Sequence, residues 1–376
     1  MESNQTVIIA GGGLAGLTSA IHLSQMGVTV TLIDKAEFPK HKVCGEYISN
    51  EVRPYLDWLG VDLSDVQPVQ ISKIEFSTPS GRTLQSELPL GGFGVSRYAL
   101  DDHLFHTAVA HGCRTISDTI VSIDFDDDHF FVTLASGQTL FADVVLGAFG
   151  KRSNLDQKMR RRFISKKSPW LAVKGHFEGT IADNVVGLHN FKGGYCGVSR
   201  VEQGRINICY LADFKTFKRY KDIEAYQKAV LYQNPKLREV FESLTPLFDK
   251  PMTISQISFD KKPCVENHVL MIGDTAGLIH PLCGNGMAIA IHSAKMASEL
   301  TIGYLHGKMT RTELERKYTS HWNREFKTRL QIGRWLGRLL QMQRLSESAL
   351  RMVELFPALF PKIIRLTHGK PISAPC

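Results

Sequence analysis

Three glycines, Gly11, Gly13 and Gly16, stand between an apolar run, Val7–Ala10, and a helical stripe of Leu14, Leu17, Ile21 and Leu23. In that order each has a task. Gly11 permits a tight turn, Gly13 lets the backbone approach a pyrophosphate, and Gly16 lets the helix pack close to the strand. A helix that starts there offers free N–H groups and a positive dipole end to phosphate oxygens. Asp34 closes the next apolar run, Val28–Ile33, 18 residues after Gly16, near the offset at which a carboxylate meets ribose hydroxyls. The chemistry is the anchoring of a dinucleotide. A glycine-rich turn in an ordinary α/β protein would explain the glycines, but not the full order of strand, helix, strand and acid.

A second constellation lies at Val269–Ala294. The run Val269–Ile272 reads as a buried strand that delivers Gly273 and Asp274 to a turn, where a carboxylate can accept a hydrogen bond from a ribityl hydroxyl. Gly284, Asn285 and Gly286 let backbone come close to a flat ring, and a helix begins near Gly286. Its N-terminus would stabilise the negative charge that a reduced flavin carries at its pyrimidine edge. A tight strand-to-helix turn accounts for these glycines but not for the whole run.

Taken together, Gly11–Gly16, Asp34, Arg97 in GVSRYALDDHL and Gly273–Met287 resemble the FAD-dependent oxidoreductases of the aromatic hydroxylase and geranylgeranyl reductase group. The likeness runs over about residues 5 to 305, with the motifs in the family's chain order. It implies that Gly11, Gly13, Leu14, Ala15 and Gly16 hold the pyrophosphate and that Asp34 and Lys35 flank the adenosine ribose. It further implies Arg97 near the cofactor, Val121 near the adenine, Gly273 and Asp274 at the ribityl–phosphate region, and Pro281, Gly284, Asn285, Gly286 and Met287 around the flavin. FAD is the cofactor expected, with NAD(P)H or another reductant as electron donor.

Departures from the group bear on the reaction. Hydroxylases carry an Asp-Gly pair after the later strand, whereas here Phe149 precedes Gly150, which argues against ordinary NAD(P)H-first hydroxylation. The segment Phe38–Ser49 instead resembles the Pro-x-x-Lys-x-Cys-Gly element of the reductases, and that likeness sets Cys44 and Glu46 beside the flavin. Cys44 is as readily a small packing residue. Glu46 is a candidate proton donor, although a salt-bridged carboxylate is the commoner role. The reductases' Tyr-x-Trp element corresponds to Tyr195-Cys196-Gly197, so Gly197 replaces the tryptophan and the prenyl substrate does not carry over. Tyr195 is a candidate for the cavity wall or for aromatic packing. His280, before Pro281, is a candidate facing the flavin, with a satisfied structural role favoured. Halogenases share the fold but need a Trp-x-Trp pair that this chain lacks.

These residues need elements to hold them. The 376 residues, with 43% hydrophobic and 22% charged side chains, suffice for intertwined domains with a large core. The fold class expected is α/β: a Rossmann-like FAD-binding domain over residues 1–68, 89–155 and 264–305, with an inserted β-rich substrate domain over 69–88 and 156–263. The insert reads as short alternating strands such as 73–78, 171–177, 185–191, 205–210 and 252–259, with helices from Ile223 to Phe248. Residues 306–376 read as a helical C-terminal region, opened by a Thr310/Glu313 capping box.

The seven cysteines show no CxxC and the histidines no HExxH, so neither a metal nor a disulfide is expected. No leader is evident, and no apolar run nears the roughly 18 residues of a spanning segment, which points to a cytoplasmic protein. The net charge of +8 gathers between His321 and Lys370, where ten Lys and Arg face three Glu. We read this as the solvated basic face of a packed helical subdomain, or else as a substrate-capping helical lid whose outer face touches the inner face of a membrane and delivers a lipid-like substrate, and not as a nucleic-acid site. The partner expected is an apolar small molecule. The reaction expected is hydride transfer through flavin N5 to or from an unsaturated or aromatic metabolite. Monooxygenation and a non-catalytic FAD carrier remain as alternatives.

Overall fold

The computed structural model describes residues 5–220 and 222–375, the side chains of 343–346 and 349 excepted. Its centre is a six-stranded sheet in the order Val265–Glu266, Val269–Met271, Val144–Gly147, Thr6–Ala10, Thr29–Asp34 and Arg114–Ser117. All pairings are parallel except that of the edge strand Val265–Glu266. Parallel strands covered on both faces must be apolar throughout, and Val7, Ile9, Val145 and Leu146 are accordingly buried without remainder. Helices Leu14–Gln25, Arg97–Ala110 and Gly286–Leu305 pack together beside this sheet. A three-stranded antiparallel sheet, Ile120–Asp126, His129–Leu134 and Thr139–Ala142, packs against its central strands.

The second sheet is larger than the sequence reading drew it. Its path runs Thr245–Pro246, Trp170–Glu178, Ile206–Asp213, Gly194–Arg200, Val185–Phe191, Val69–Ser77, Thr83–Gly94 and Tyr47–Ser49, with Met252–Ser255 paired to Trp170–Glu178. Tyr47–Ser49 and residues 89–94, assigned from sequence to the cofactor domain, are therefore strands of this second sheet. Tyr47 pairs with Gly94 and Ile48 with Phe93. The helical interlude divides into Ile223–Val230 and Pro235–Ser243, because a proline cannot continue the preceding turn.

The C-terminal region is three helices, Arg311–Gln341, Gln343–Leu355 and Leu359–Thr367. The first is capped reciprocally: Glu313 N–H donates to Thr310 Oγ1 at 3.3 Å, and Thr310 N–H donates to Glu313 Oε2 at 2.9 Å. Its buried stripe of Leu314, Tyr318, Trp322, Phe326 and Leu330 lies at helical spacing, and the helix packs on Gly286–Leu305. Tyr318 also donates its hydroxyl to the Met271 carbonyl at 2.6 Å. Pro357 falls between the last two helices, each of which packs against Arg311–Gln341. Among the described residues no helix is long and apolar enough to cross a membrane.

Candidate active site

The glycine turn sits where the central strand ends. Gly11 has φ +115°, and a β-carbon there would meet the Ala148 carbonyl oxygen at 2.5 Å. A β-carbon on Gly16 would lie 2.0 Å from the Gly11 carbonyl oxygen. Gly13 differs, since its nearest neighbours would be 3.8 Å and 3.9 Å away and it opens, with Gly11, Leu14 and Ala15, onto a large cavity. The helix Leu14–Gln25 has no side-chain cap and no acid in its first turn, so its leading N–H groups are free for an anion. Gly16 packs under the turn and does not line the cavity.

Asp34 and Lys35 line the same cavity. One Asp34 oxygen accepts the Gly12 N–H at 2.7 Å; the other accepts the Ala36 N–H at 2.9 Å and Lys40 Nζ at 2.6 Å. Burial alone would raise its pKa, but Lys40 and the two amides outweigh burial and hold the carboxyl below its usual range. Asp34 is thus an ionised acceptor with lone-pair capacity left for a hydroxyl.

At the other end, strand Val269–Met271 delivers Gly273 and Asp274 to the cavity wall. The Asp274 carbonyl accepts Lys262 Nζ at 2.9 Å, and Asp274 lines the cavity. Burial pushes the Lys262 ammonium down to about 8, against the pull of Asp156 and Asp274. Pro281, Gly284, Gly286 and Met287 also line the cavity, and helix Gly286–Leu305 begins there without a side-chain cap. Asn285 turns away: buried, it donates through Nδ2 to Glu51 Oε2 at 3.0 Å. Its place is to hold the loop from behind. Val121 lies at the bulge between Ile120 and Ser122 and does not line the cavity.

Arg97 opens helix Arg97–Ala110, which Ser96 caps at the Ala99 N–H, 3.1 Å. Its guanidinium grips Asp101 with two 2.7 Å bonds, and Lys42 Nζ approaches the same carboxylate at 2.8 Å. Lys42 also donates to the Gly12 carbonyl at 3.2 Å. Fully buried Asp101 therefore fixes two cations, Arg97 and Lys42, on the cavity wall. Sequence reading singled out Arg97 and overlooked Lys42, although Lys42 stands inside the quoted Phe38–Ser49 element.

Cys44 lines the cavity, its carbonyl accepting Asn207 Nδ2 at 3.3 Å. Glu46 is fully buried and left-handed, at φ +54°. Its Oε1 accepts the Arg97 N–H at 2.7 Å and pairs with Lys174 Nζ, while Oε2 lies 2.7 Å from His176 Nε2. Burial raises its pKa, but His176 and Lys174 more than offset that and lower it overall. An ion-paired carboxylate has no proton to give, so the geometry counts against Glu46 as proton donor.

Tyr195 lies on strand Gly194–Arg200, opposite Leu211, and lines the cavity with a phenol that burial pushes far above its ordinary pKa. His280 does not line it. Its ring is boxed by Phe259, Tyr195 and Trp170 at centroid distances of 4.8, 5.5 and 6.0 Å. Neither ring nitrogen has a hydrogen-bond partner among the described residues, and burial pushes the imidazole down to about 4. It is neutral and part of the packing.

The cavity measures about 740 Å³ and is continuous from the glycine turn to a far chamber. Ile74, Leu88, Val186 and Leu188 of the second sheet face Leu340, Leu350, Val353 and Ile364 of the C-terminal helices across that chamber. Gly197 and Phe149 line the middle. A β-carbon at Gly197 would have one neighbour within 4 Å, the Cys209 carbonyl oxygen at 3.6 Å, so the missing tryptophan leaves open space. The helices are fastened at buried Glu51, which binds Asn285, accepts the Gly369 N–H at 2.8 Å and sits 3.5 Å from Arg329. The uncapped helix ends, the bare Gly13 surface, the Asp101-held cations and Asp274 on the cavity wall fit an extended, doubly charged dinucleotide with a flat ring at its far end.

The FAD binding domain family model matches residues 4–321. Menaquinone reductase of Mycobacterium tuberculosis is 24% identical over 320 residues, covering 80% of this chain and 77% of that protein. Digeranylgeranylglycerophospholipid reductase 2 of Methanopyrus kandleri is 20% identical over 338 residues, 85% and 82% of the two chains. Among solved structures, the flavin-dependent brominase Bmp2 superposes with a TM-score of 0.79 at 17% identity, covering 96% of this chain and 92% of its own. Halogenase PltM in complex with phloroglucinol and FAD gives 0.76 at 16%, covering 96% and 82%. At these identities the structural likeness speaks for the fold.

Proposed function

The chain belongs to the FAD binding domain family of FAD-dependent oxidoreductases, and from that premise we propose that it is a reductase or dehydrogenase of an elongated apolar substrate carrying an unsaturated or aromatic head. The observation behind this reading is the single cavity that joins the cofactor loops to an apolar chamber walled by the second sheet and the C-terminal helices. The reductase names of two relatives agree with it, as does Phe149 in place of the hydroxylase acid.

FAD supplies hydride chemistry at its isoalloxazine ring when bound. The chain's own part is to hold and orient. The turn Gly11–Gly16 and its helix take the pyrophosphate, with Lys42 and Arg97 balancing its charge, and Asp34 takes the adenosine ribose. Asp274 takes a ribityl hydroxyl. The N–H groups at Gly286 and Met287 offset negative charge at the ring edge. Tyr195, which keeps its proton, offers a hydrogen-bond donor on the cavity wall, and Cys44 packs beside the ring. Leu188, Leu340 and Ile364 exclude water from the chamber, which strengthens every polar contact near it. NAD(P)H or another reductant reloads the cofactor.

The test is anaerobic. Holoprotein reduced in the absence of oxygen is mixed with long-chain alkene and quinone-like acceptors, and its reoxidation is followed by absorbance. Rapid reoxidation with a reduced product is expected. Turnover that requires oxygen and yields a hydroxylated or halogenated product would overturn the reductase reading. No reoxidation across a broad panel, with or without oxygen, would leave a non-catalytic FAD carrier.

A further inference from the structure

We propose that the outer face of the two helices Gln343–Leu355 and Leu359–Thr367 docks on an anionic lipid surface, through which the apolar substrate enters the chamber. The inference deepens the reading of that chamber given above. Its starting point is where the described chain leaves large apolar side chains in water. Thirteen are exposed, and six of them, Trp335, Met342, Met352, Leu355, Phe356 and Leu366, fall within 32 consecutive residues. On the last two helices and the link between them they are strongly exposed: Leu355 is 74% accessible, Phe356 59%, Met352 55% and Leu366 54%. Leu355 and Phe356 lead directly into Pro357 and Ala358, which are exposed too, so the link between the helices is an exposed apolar wedge.

Charge says what covers it. Arg351, Lys362 and Arg365 are exposed on the same two helices, and none of them forms an ion pair among the described residues. The nearby Glu354 is neutralised by Arg82 at 3.2 Å. Apolar side chains beside unpaired cations match the acyl boundary and headgroups of an anionic bilayer. Contiguous exposed apolar surface of this kind marks an interaction site.

The inner faces of the same two helices give the wedge a purpose. Leu350 and Val353 line the cavity from the first helix, and Phe360, Ile363 and Ile364 line it from the second. Two short helices therefore carry apolar side chains on both sides, one side toward the chamber and one toward solvent. A substrate with a hydrocarbon tail can pass from membrane to chamber around or between them without crossing water. A protein partner would meet the outer face alone and would have no use for the continuity.

Sedimentation of FAD-loaded, full-length protein with large unilamellar vesicles tests this. One vesicle set is pure phosphatidylcholine and the other contains one-quarter phosphatidylglycerol. Binding to the anionic vesicles is expected, at least tenfold weaker with neutral ones and weakened by salt. L355S/F356S should lower binding at least tenfold, and K362E/R365E should abolish the preference for anionic lipid. Both pairs are exposed and lie outside the cavity wall, so bound FAD and thermal midpoint should stay at the wild-type level. Absence of vesicle binding by the wild-type holoprotein, or binding that both variants leave unchanged, would overturn the proposal. So would capture of an acidic soluble protein by this face in place of vesicles. Binding is read without turnover. A protein that docks but reduces no acceptor would therefore refute the reductase reading and leave the docking face standing.

Discussion

The imidazole of His280 packs against Gly337, where a β-carbon would stand 2.5 Å from the ring Cδ2. The loop that leads into Gly284–Gly286 and the long C-terminal helix are thus pressed together at a position that admits no side chain. Gly337→Ala should destabilise the protein by about 1–3 kcal/mol through overpacking. His280→Ala adds a cavity on its own, yet the pair H280A/G337A should cost less than the sum of the two. Urea denaturation of the three variants measures the coupling. Simple additivity would show that the contact is slack.

The same histidine makes stability depend on pH. Its folded pKa is lowered by burial from the ordinary 6.5 to about 4, as is that of His292. Burial likewise takes His22 and His189 down to about 3. Above pH 6.5 these groups are neutral in both states and cost nothing. As pH falls from 6.5 toward 4 the unfolded chain takes up protons that the folded chain refuses, so stability is lost over that window. His280 accounts for at most about 3 kcal/mol of the loss. Denaturation midpoints from pH 7.5 to 4.5 should fall steadily, and H280F should flatten the curve.

Glu46 should be costly to neutralise. Glu46→Gln leaves Lys174 and His176 buried without their counter-charge, and breaking a buried ion pair from one side costs about 3–5 kcal/mol. The double change E46Q/K174M should recover part of that. Thermal unfolding reports the stability, and bound FAD reports whether the Arg97 amide still sits at the cavity wall. If E46Q unfolds as the wild type does, the cluster is not ion-paired.

Gly11 and Gly13 should fail differently. At Gly11 a side chain meets backbone in a left-handed turn, so Gly11→Ala should destabilise the apoprotein. At Gly13 a side chain finds room in the chain itself but projects into the cavity. Gly13→Val should leave the apoprotein midpoint unchanged and weaken FAD binding at least tenfold, measured by flavin fluorescence titration. Unimpaired FAD binding by G13V would place the pyrophosphate elsewhere.

The elements that carry the expected cofactor motifs were legible because their signals are local. Gly11–Gly16 and Asp34 lie within one strand–helix–strand unit, and Gly273–Met287 within one strand–turn–helix. The helix opened by Thr310 and Glu313 was legible for the same reason. What escaped depends on contacts between distant parts of the chain. Glu46 meets Lys174 and His176 across 128 and 130 residues, and Asn285 meets Glu51 across 234. No spacing rule links such positions. Tyr47–Ser49 was missed because three residues carry too little periodicity to declare a strand, and only pairing with Thr83–Gly94 makes them one. The C-terminal helices were read from sequence as one candidate cap on the substrate, but the shape of the chamber was not legible. Its walls come from the second sheet and the C-terminal helices, which only the fold brings together.

Glu51 brings Asn285 of the Gly284–Gly286 turn, Arg329 of the long helix and Gly369 near the chain's end to one carboxylate. The Gly284–Gly286 turn and the wall of the apolar chamber therefore share a single latch. Clipping the chain just before Gly369 removes one of the donors to that carboxylate, and FAD should then leave the holoprotein faster.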